Sequence, residues 1–110
     1  MHAPVDITFR SMDPSPAVEE SIKKWAARLD ECFEPIERCE VIVELPHRRQ
    51  RQGKTFQVHL RVTIPDRTIA ITRDPGRDHA HEDVYVAISD AFRAARRQLS
   101  DAAQIRREHA

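Results

Sequence analysis

The chain has 110 residues, 40% of them hydrophobic and 33% charged, and its formal net charge is zero. A chain of this length can bury one packed core but not two independent ones, and no apolar run approaches the ~18 residues that a membrane-spanning helix requires. Neutrality argues against simple electrostatic capture of nucleic acid, yet the charge is unevenly placed. Residues 1–44 carry 5 basic and 10 acidic side chains, and residues 45–110 carry 13 and 8. Such a bipolar molecule can turn a cationic region toward phosphates while its anionic remainder limits indiscriminate binding. The N-terminus lacks the charged-then-apolar pattern of a secretory signal, so a cytoplasmic protein is expected. Cys32 and Cys39 form neither a disulfide scaffold nor a C-x-x-C pair, and both are expected to be buried or half-buried thiols.

In chain order, Val5, Ile7 and Phe9 alternate with Asp6, Thr8 and Arg10, the period-two pattern of a strand with one buried face. Asp13-Pro14-Ser15-Pro16 then turns into a helix, with Ser15 as N-cap, Pro16 at the first helical position and Glu19 and Glu20 in or near the first turn. Val18, Ile22, Trp25, Leu29, Cys32 and Phe33 recur every three or four residues and form its predicted core stripe, ended by Pro35. A second strand runs from Cys39 to Leu45, with Val41, Val43 and Leu45 inward. Phe56, Val58, Leu60, Val62 and Ile64 give the clearest alternation in the chain and predict a central third strand. Pro65-Asp66-Arg67 turns the chain into a fourth, Thr68 to Arg73. After the Asp74-Pro75-Gly76 turn, a last helix begins near His81. Its core stripe is Val84, Ile88, Ala91, Ala95, Leu99 and Ala102, and Arg93, Arg96, Arg97 and Arg107 lie opposite. Residues 1–104 are read as one domain and 105–110 as a frayed tail.

The order β-α-β-β-β-α buries one face of each element only if both helices pack on the same side of a four-stranded sheet, so the expected fold is an α+β two-layer sandwich. The connection through the first helix should be right-handed if the first two strands are parallel.

The densest charge lies in the loop PHRRQRQGK, where His47, Arg48, Arg49, Arg51 and Lys54 fall within eight positions. Guanidinium forks match phosphate oxygens, so this loop reads either as a phosphate clamp or as a solvated hairpin end. Arg93, Arg96 and Arg97 read as phosphate contacts or as compensation of a helix dipole. Lys23, Lys24 and Arg28 are interleaved with Glu20, Asp30 and Glu31, as in ordinary surface pairing. Arg10, His59 and Arg61 share the outward parity of the sheet, a face no helix covers. His79 and His81 beside Glu82 and Asp83 fall short of a zinc set, because no third or fourth ligand stands at a recognised spacing. The chain lacks a G-x-S-x-G turn and a phosphate loop and has 2 glycines, which points away from an enzyme.

The segment HEDVYVAISDAFRAARRQL resembles the signature helix of the ribosome hibernation-promoting factor and ribosome-associated translation inhibitor family, also called the sigma-54 modulation protein family. His81, Glu82, Asp83, Tyr85, Ala87, Ile88, Arg97, Gln98 and Leu99 fall on positions of that pattern. Ser15-Pro16-Ala17-Val18 resembles the family's opening of the first helix, and Arg28-Leu29 its basic-leucine step. The resemblance covers nearly the whole chain and implies the same element order. It implies a non-enzyme of bacterial stress response that binds the small ribosomal subunit and its rRNA near the decoding region. There it would exclude messenger and transfer RNA in resting cells, as a monomer or weak dimer, with no cofactor, membrane or small-molecule substrate. Basic residues of both helices and the adjoining sheet would meet RNA backbone. The candidates are Lys23, Lys24, Arg28, Arg48, Arg49, Arg51, Lys54, Arg61, Arg93, Arg96 and Arg97.

The sequence departs from the family at Trp25, where a basic residue is common, at Ala94, where lysine is common, and at Ser89, where an acidic or amide residue is usual. Arg93 and Arg96 are expected to supply the displaced charge. Longer relatives append a ribosome-pairing domain or a cold-shock module, so the chain is expected either to act alone, as short members do, or to be a fragment. Three other readings stand beside this one: a double-stranded-RNA-type module, a protein-interaction domain modulating a sigma factor, and a metal-dependent enzyme.

Overall fold

The computed structural model describes residues 4–33, 35–45, 56–73 and 83–108. Its elements are β1 (Val5–Arg10), α1 (Pro16–Cys32), β2 (Arg38–Glu44), β3 (Gln57–Ile64), β4 (Arg67–Arg73) and α2 (Val84–Glu108). The strands form one sheet in the order β1-β2-β3-β4, with β1 parallel to β2 and the remaining pairs antiparallel. Both helices lie on the same face, as the amphipathic patterns require, and the fold is the expected α+β two-layer sandwich. No helix among the described residues is long and apolar enough to cross a membrane.

Local chemistry sets the helix starts. Ser15 is extended (φ −124°, ψ 113°), and its hydroxyl accepts from the Val18 N–H at 3.3 Å while Pro16 opens α1. At the other helix the Asp83 carboxylate accepts from the Tyr85 N–H at 2.9 Å, which makes Asp83 the cap and Val84 the first helical residue. That start lies later than the His81 region expected from sequence, because a capping carboxylate satisfies the free N–H groups only where it stands. α2 also runs past Gln104 to Glu108. Ile64 pairs directly with Arg67, so the β3–β4 turn is the two residues Pro65 and Asp66, and Arg67 already belongs to the ladder.

One side of the sheet is dry. Cys39, Val41 and Val43 of β2, Val58, Leu60, Val62 and Ile64 of β3, and Ile69 and Ile71 of β4 are all buried there. Val5, Ile7 and Phe9 on the edge strand β1 are half-buried against the same core. α1 contributes Val18, Ile22, Ala26 and Leu29, a stripe displaced by one residue from the one expected. Trp25 sits on its rim, and Cys32, on the same meridian two turns farther, is exposed rather than buried. α2 contributes Ile88, Ala91, Ala95, Leu99 and Ala102 as expected, together with Ala87, Phe92 and Ala94. Phe92, absent from the predicted stripe, heads the largest fully buried side chains. It stacks on Trp25 with ring centroids 5.9 Å apart and planes inclined by 15°, joining the two helices.

Phe92→Ala should therefore destabilise the fold by about 3–5 kcal/mol, the usual cost of emptying a buried aromatic site, in urea unfolding. A loss below about 1 kcal/mol would mean that the seam between the helices collapses to fill the space.

Burial, reinforced by the charges of Glu40 and Asp6, pushes the Cys39 thiol from 9.0 up to about 12. The unfolded chain therefore gives up this proton first. The stability linked to Cys39 is whole below pH 9.0 and is lost as pH rises from there toward about 12. Maleimide labelling of the native protein near neutral pH should modify Cys32 and spare Cys39 until denaturant is added. Equal labelling of both in the native state would contradict the burial.

Candidate nucleic-acid interface

The expected cationic residues divide by element, and the division decides which can act together. On α2, Arg93, Arg96 and Arg97 are all exposed, and none forms an ion pair with another described residue. At 100° per residue, Arg96 lies about 40° around the helix from Phe92, Arg93 about 100° and Arg97 about 140°. Arg96 therefore borders the seam with α1, Arg93 points straight to solvent, and Arg97 sits on the far flank. The outer arc also holds Tyr85, 45% exposed and two turns before Phe92 on nearly the same meridian. Ala94 is buried, and Ser89 is half-buried with its hydroxyl donating to the Val86 carbonyl at 3.0 Å. Neither residue offers a charge where relatives carry polar side chains.

α1 turns its three cations in three directions. Arg28 leans across the seam side with its guanidinium carbon 5.2 Å from the centre of the Trp25 ring. Lys24 faces solvent and pairs loosely with Glu20 at 3.8 Å, both side chains well exposed. Lys23 lies on the opposite flank, lining an apolar groove of about 340 Å³ with Val5, Asp30 and Ile36. The structure thus brings Arg28 and Arg96 to one seam and separates them from Lys23.

Arg61 is on the other side of the molecule. It is exposed on the uncovered sheet face, where a depression of about 240 Å³ is lined by Arg10, Glu40, Ile42, His59, Arg61 and Thr72 among others. The register places Asp6, Glu40, Arg61 and Ala70 in one row, and Thr8, Ile42, His59 and Thr72 in the next. His59 Nδ1 lies 3.2 Å from the Thr72 hydroxyl. Arg38 donates to Asp6 from Nε at 2.9 Å and from a terminal nitrogen at 2.7 Å, and reaches Glu40 at 3.9 Å. The hydrogen bond to Asp6, then the charges of Asp6 and Glu40, hold the Arg38 guanidinium above its ordinary pKa. Arg10, Arg38 and Arg61 on this face meet Asp6, Glu40 and Glu44, so the face is balanced rather than cationic. Sequence parity identified Arg10, His59 and Arg61 as outward. It could not show that Arg38 is committed to Asp6, since that depends on β1 and β2 lying side by side.

His47, Arg48, Arg49, Arg51 and Lys54 lie outside the described residues, as do His79, His81 and Glu82. Among the described residues no group of three or more His, Cys, Asp or Glu side chains is placed to hold a metal ion. The two site features missed from sequence are Phe92 and the Arg28–Trp25 contact. Both were signalled by spacing: Phe92 is four residues after Ile88, and Arg28 three after Trp25.

A two-layer α+β domain with an arginine-bearing helical layer and a balanced open sheet defines a binding protein of the small α+β class. The chain belongs to the family described as Sigma 54 modulation protein / S30EA ribosomal protein, whose family model matches residues 5–107. No curated protein sequence matches it. Two solved structures share its fold. One is a ribosomal subunit interface protein from Coxiella burnetii, with TM-score 0.73 and 22% identity over 92% of this chain and 98% of that one. The other is the N-terminal domain of Protein Y from Thermus thermophilus, with TM-score 0.66 and 20% identity over 90% of this chain and 96% of that one.

Proposed function

We propose that this protein is a cytoplasmic, ribosome-associated inhibitor of translation. It binds the small subunit near the decoding region and excludes messenger and transfer RNA. The family match across residues 5–107 supports ribosome association, and the Coxiella burnetii neighbour is itself described as a ribosomal subunit interface protein. The observation that carries the reading is the outer arc of α2, where Arg93, Arg96 and Arg97 are exposed without an ion-pair partner among the described residues. Guanidinium groups held on a rigid helix suit the phosphates of folded RNA, recognised by shape and backbone rather than by sequence. Arg28 joins them across the seam. Arg48, Arg49, Arg51 and Lys54 extend the basic surface in this reading, while Lys23, Lys24 and Arg61 contribute less because they face elsewhere. Residues 1–104 act as one domain, monomeric or weakly dimeric, with no catalytic step.

Replacing Arg93, Arg96 and Arg97 together by alanine should weaken co-sedimentation with small subunits about tenfold or more. It should also flatten the logarithmic salt dependence by roughly 0.7–0.9 for each phosphate that is no longer neutralised. Undiminished co-sedimentation would remove α2 from the interface. In sucrose gradients the wild-type protein should shift free subunits toward single ribosomes and reduce messenger binding.

The family description also names sigma-54 modulation, which favours a second reading, a protein-interaction domain. Partner binding that survives ribonuclease would support it. Binding to a hairpin duplex of about 16 base pairs as tight as to ribosomes would instead point to a double-stranded-RNA module.

A further inference from the structure

Between the helices stands a stack of three planar groups. Phe92 is fully buried at its base, and the half-buried Trp25 lies on it at 5.9 Å and 15°. The Arg28 guanidinium carbon is 5.2 Å from the Trp25 ring, and the Arg28 side chain is exposed. We propose that Trp25 and Arg28 form a stacking platform for one unpaired nucleobase, held beside the phosphate-binding arginines of α2. This deepens the ribosome-binding reading and rests on it.

The chemistry follows from the shape of the groups. A guanidinium is a flat, delocalised and weakly hydrated cation, so it can lie on an aromatic ring and offer its other face to a second π-system. A lysine ammonium in the same place supplies equal charge without a plane. Phe92 fixes the lower side of Trp25 and so limits the motion of the indole, and Arg28 is already drawn over its upper side. A base arriving from solvent either lies on the guanidinium or displaces it and lies on the indole. Both arrangements use the same column and order little that is not already ordered.

Position favours RNA over a protein partner as the occupant. Arg96 lies one turn from Phe92 and borders the same seam, and Arg93 follows on the outer arc. A strand whose base stacks at Arg28 therefore carries its sugar-phosphate backbone past cations rather than past the acidic side chains of α1. A regular duplex cannot use the platform, because its base faces are already covered by their neighbours. The site thus selects a bulged, looped or single-stranded nucleotide, and accepts any base with a preference for the larger purines.

Trp25 is the chain's single tryptophan, so its emission reports on the site alone. The intact protein is titrated with hexaadenylate and with a six-unit abasic ribose-phosphate oligomer, and Trp25 fluorescence and affinity are both read. The same titrations are run on Arg28→Lys, which keeps the charge of an exposed position. Hexaadenylate should bind about fivefold to a hundredfold tighter than the abasic oligomer and change Trp25 emission, the range expected for one stacked base. In Arg28→Lys that advantage should shrink severalfold while abasic binding stays the same.

Equal affinity for the two oligomers, or an undiminished advantage in Arg28→Lys, overturns the platform. If small subunits still co-sediment with the wild-type protein in that event, the ribosome-binding reading stands without it. Failure to bind either oligomer or subunits overturns both.

Discussion

The parallel pairing of β1 with β2 is the constraint on which the rest of the structure depends. Parallel neighbours cannot be joined by a tight turn, so the chain must cross back over one face of the sheet, and α1 is that crossing. Once α1 covers the β1 side of the face, the apolar residues of β3 and β4 on the same side need their own cover, and α2 supplies it. The opposite face is left open. Every cation on a strand with outward parity, Arg10, Arg38 and Arg61 among them, is thereby separated from every cation on a helix. Topology, not local sequence, divides the basic residues into two sets, and only one set is free of nearby carboxylates.

The seam between the helices couples stability to the helical set. Trp25 occupies a place on the rim of α1 that could have carried charge, and it faces Phe92 instead. The gain is apolar burial and an aromatic contact that fixes the spacing of the helices. What is given up at Trp25 is a charge, yet charge remains on either side of it, Arg28 on the same helix and Arg96 on the next. An aromatic group between cations suits nucleic acid better than a third cation would. Phosphates set affinity, but a planar surface is what distinguishes a stacked base from one that is free.

Most of the architecture is legible in the sequence because the relevant periods are short and strong. Alternation from Phe56 to Ile64 places β3 and its buried face, and Ser15-Pro16 marks the start of α1 within the residue. Sequence reasoning goes astray where several side chains compete for one stripe. In α2 the small residues Ala91 and Ala95 satisfy the periodicity and hide Phe92 between them, although Phe92 is the anchor. In α1 the periodicity favours Trp25 and Cys32, whereas the sheet takes Ala26; Trp25 is held from the side by α2 and Cys32 is left in solvent. The site is legible only residue by residue. Arg28, Arg93, Arg96 and Arg97 are identifiable as candidates, but their grouping depends on which meridian of each helix faces its neighbour. The pairing of Arg38 with Asp6, 32 positions apart, needs the strand register.

A neutral chain can still present a cationic side because the spatial order of the strands repeats their order in sequence. The acidic first part of the chain builds β1, α1 and β2, and the basic remainder builds β3, β4 and α2. In a sheet ordered β1-β2-β3-β4 these parts lie side by side instead of being interleaved, so an asymmetry along the sequence becomes an asymmetry across the molecule. Interleaving β1 between β3 and β4 would have mixed the two signs and cancelled the field at short range. With the observed order, the acidic side turns phosphate away while α2 receives it. A protein without net charge can in this way be orientated on RNA by its charge while being only weakly attracted to RNA in general.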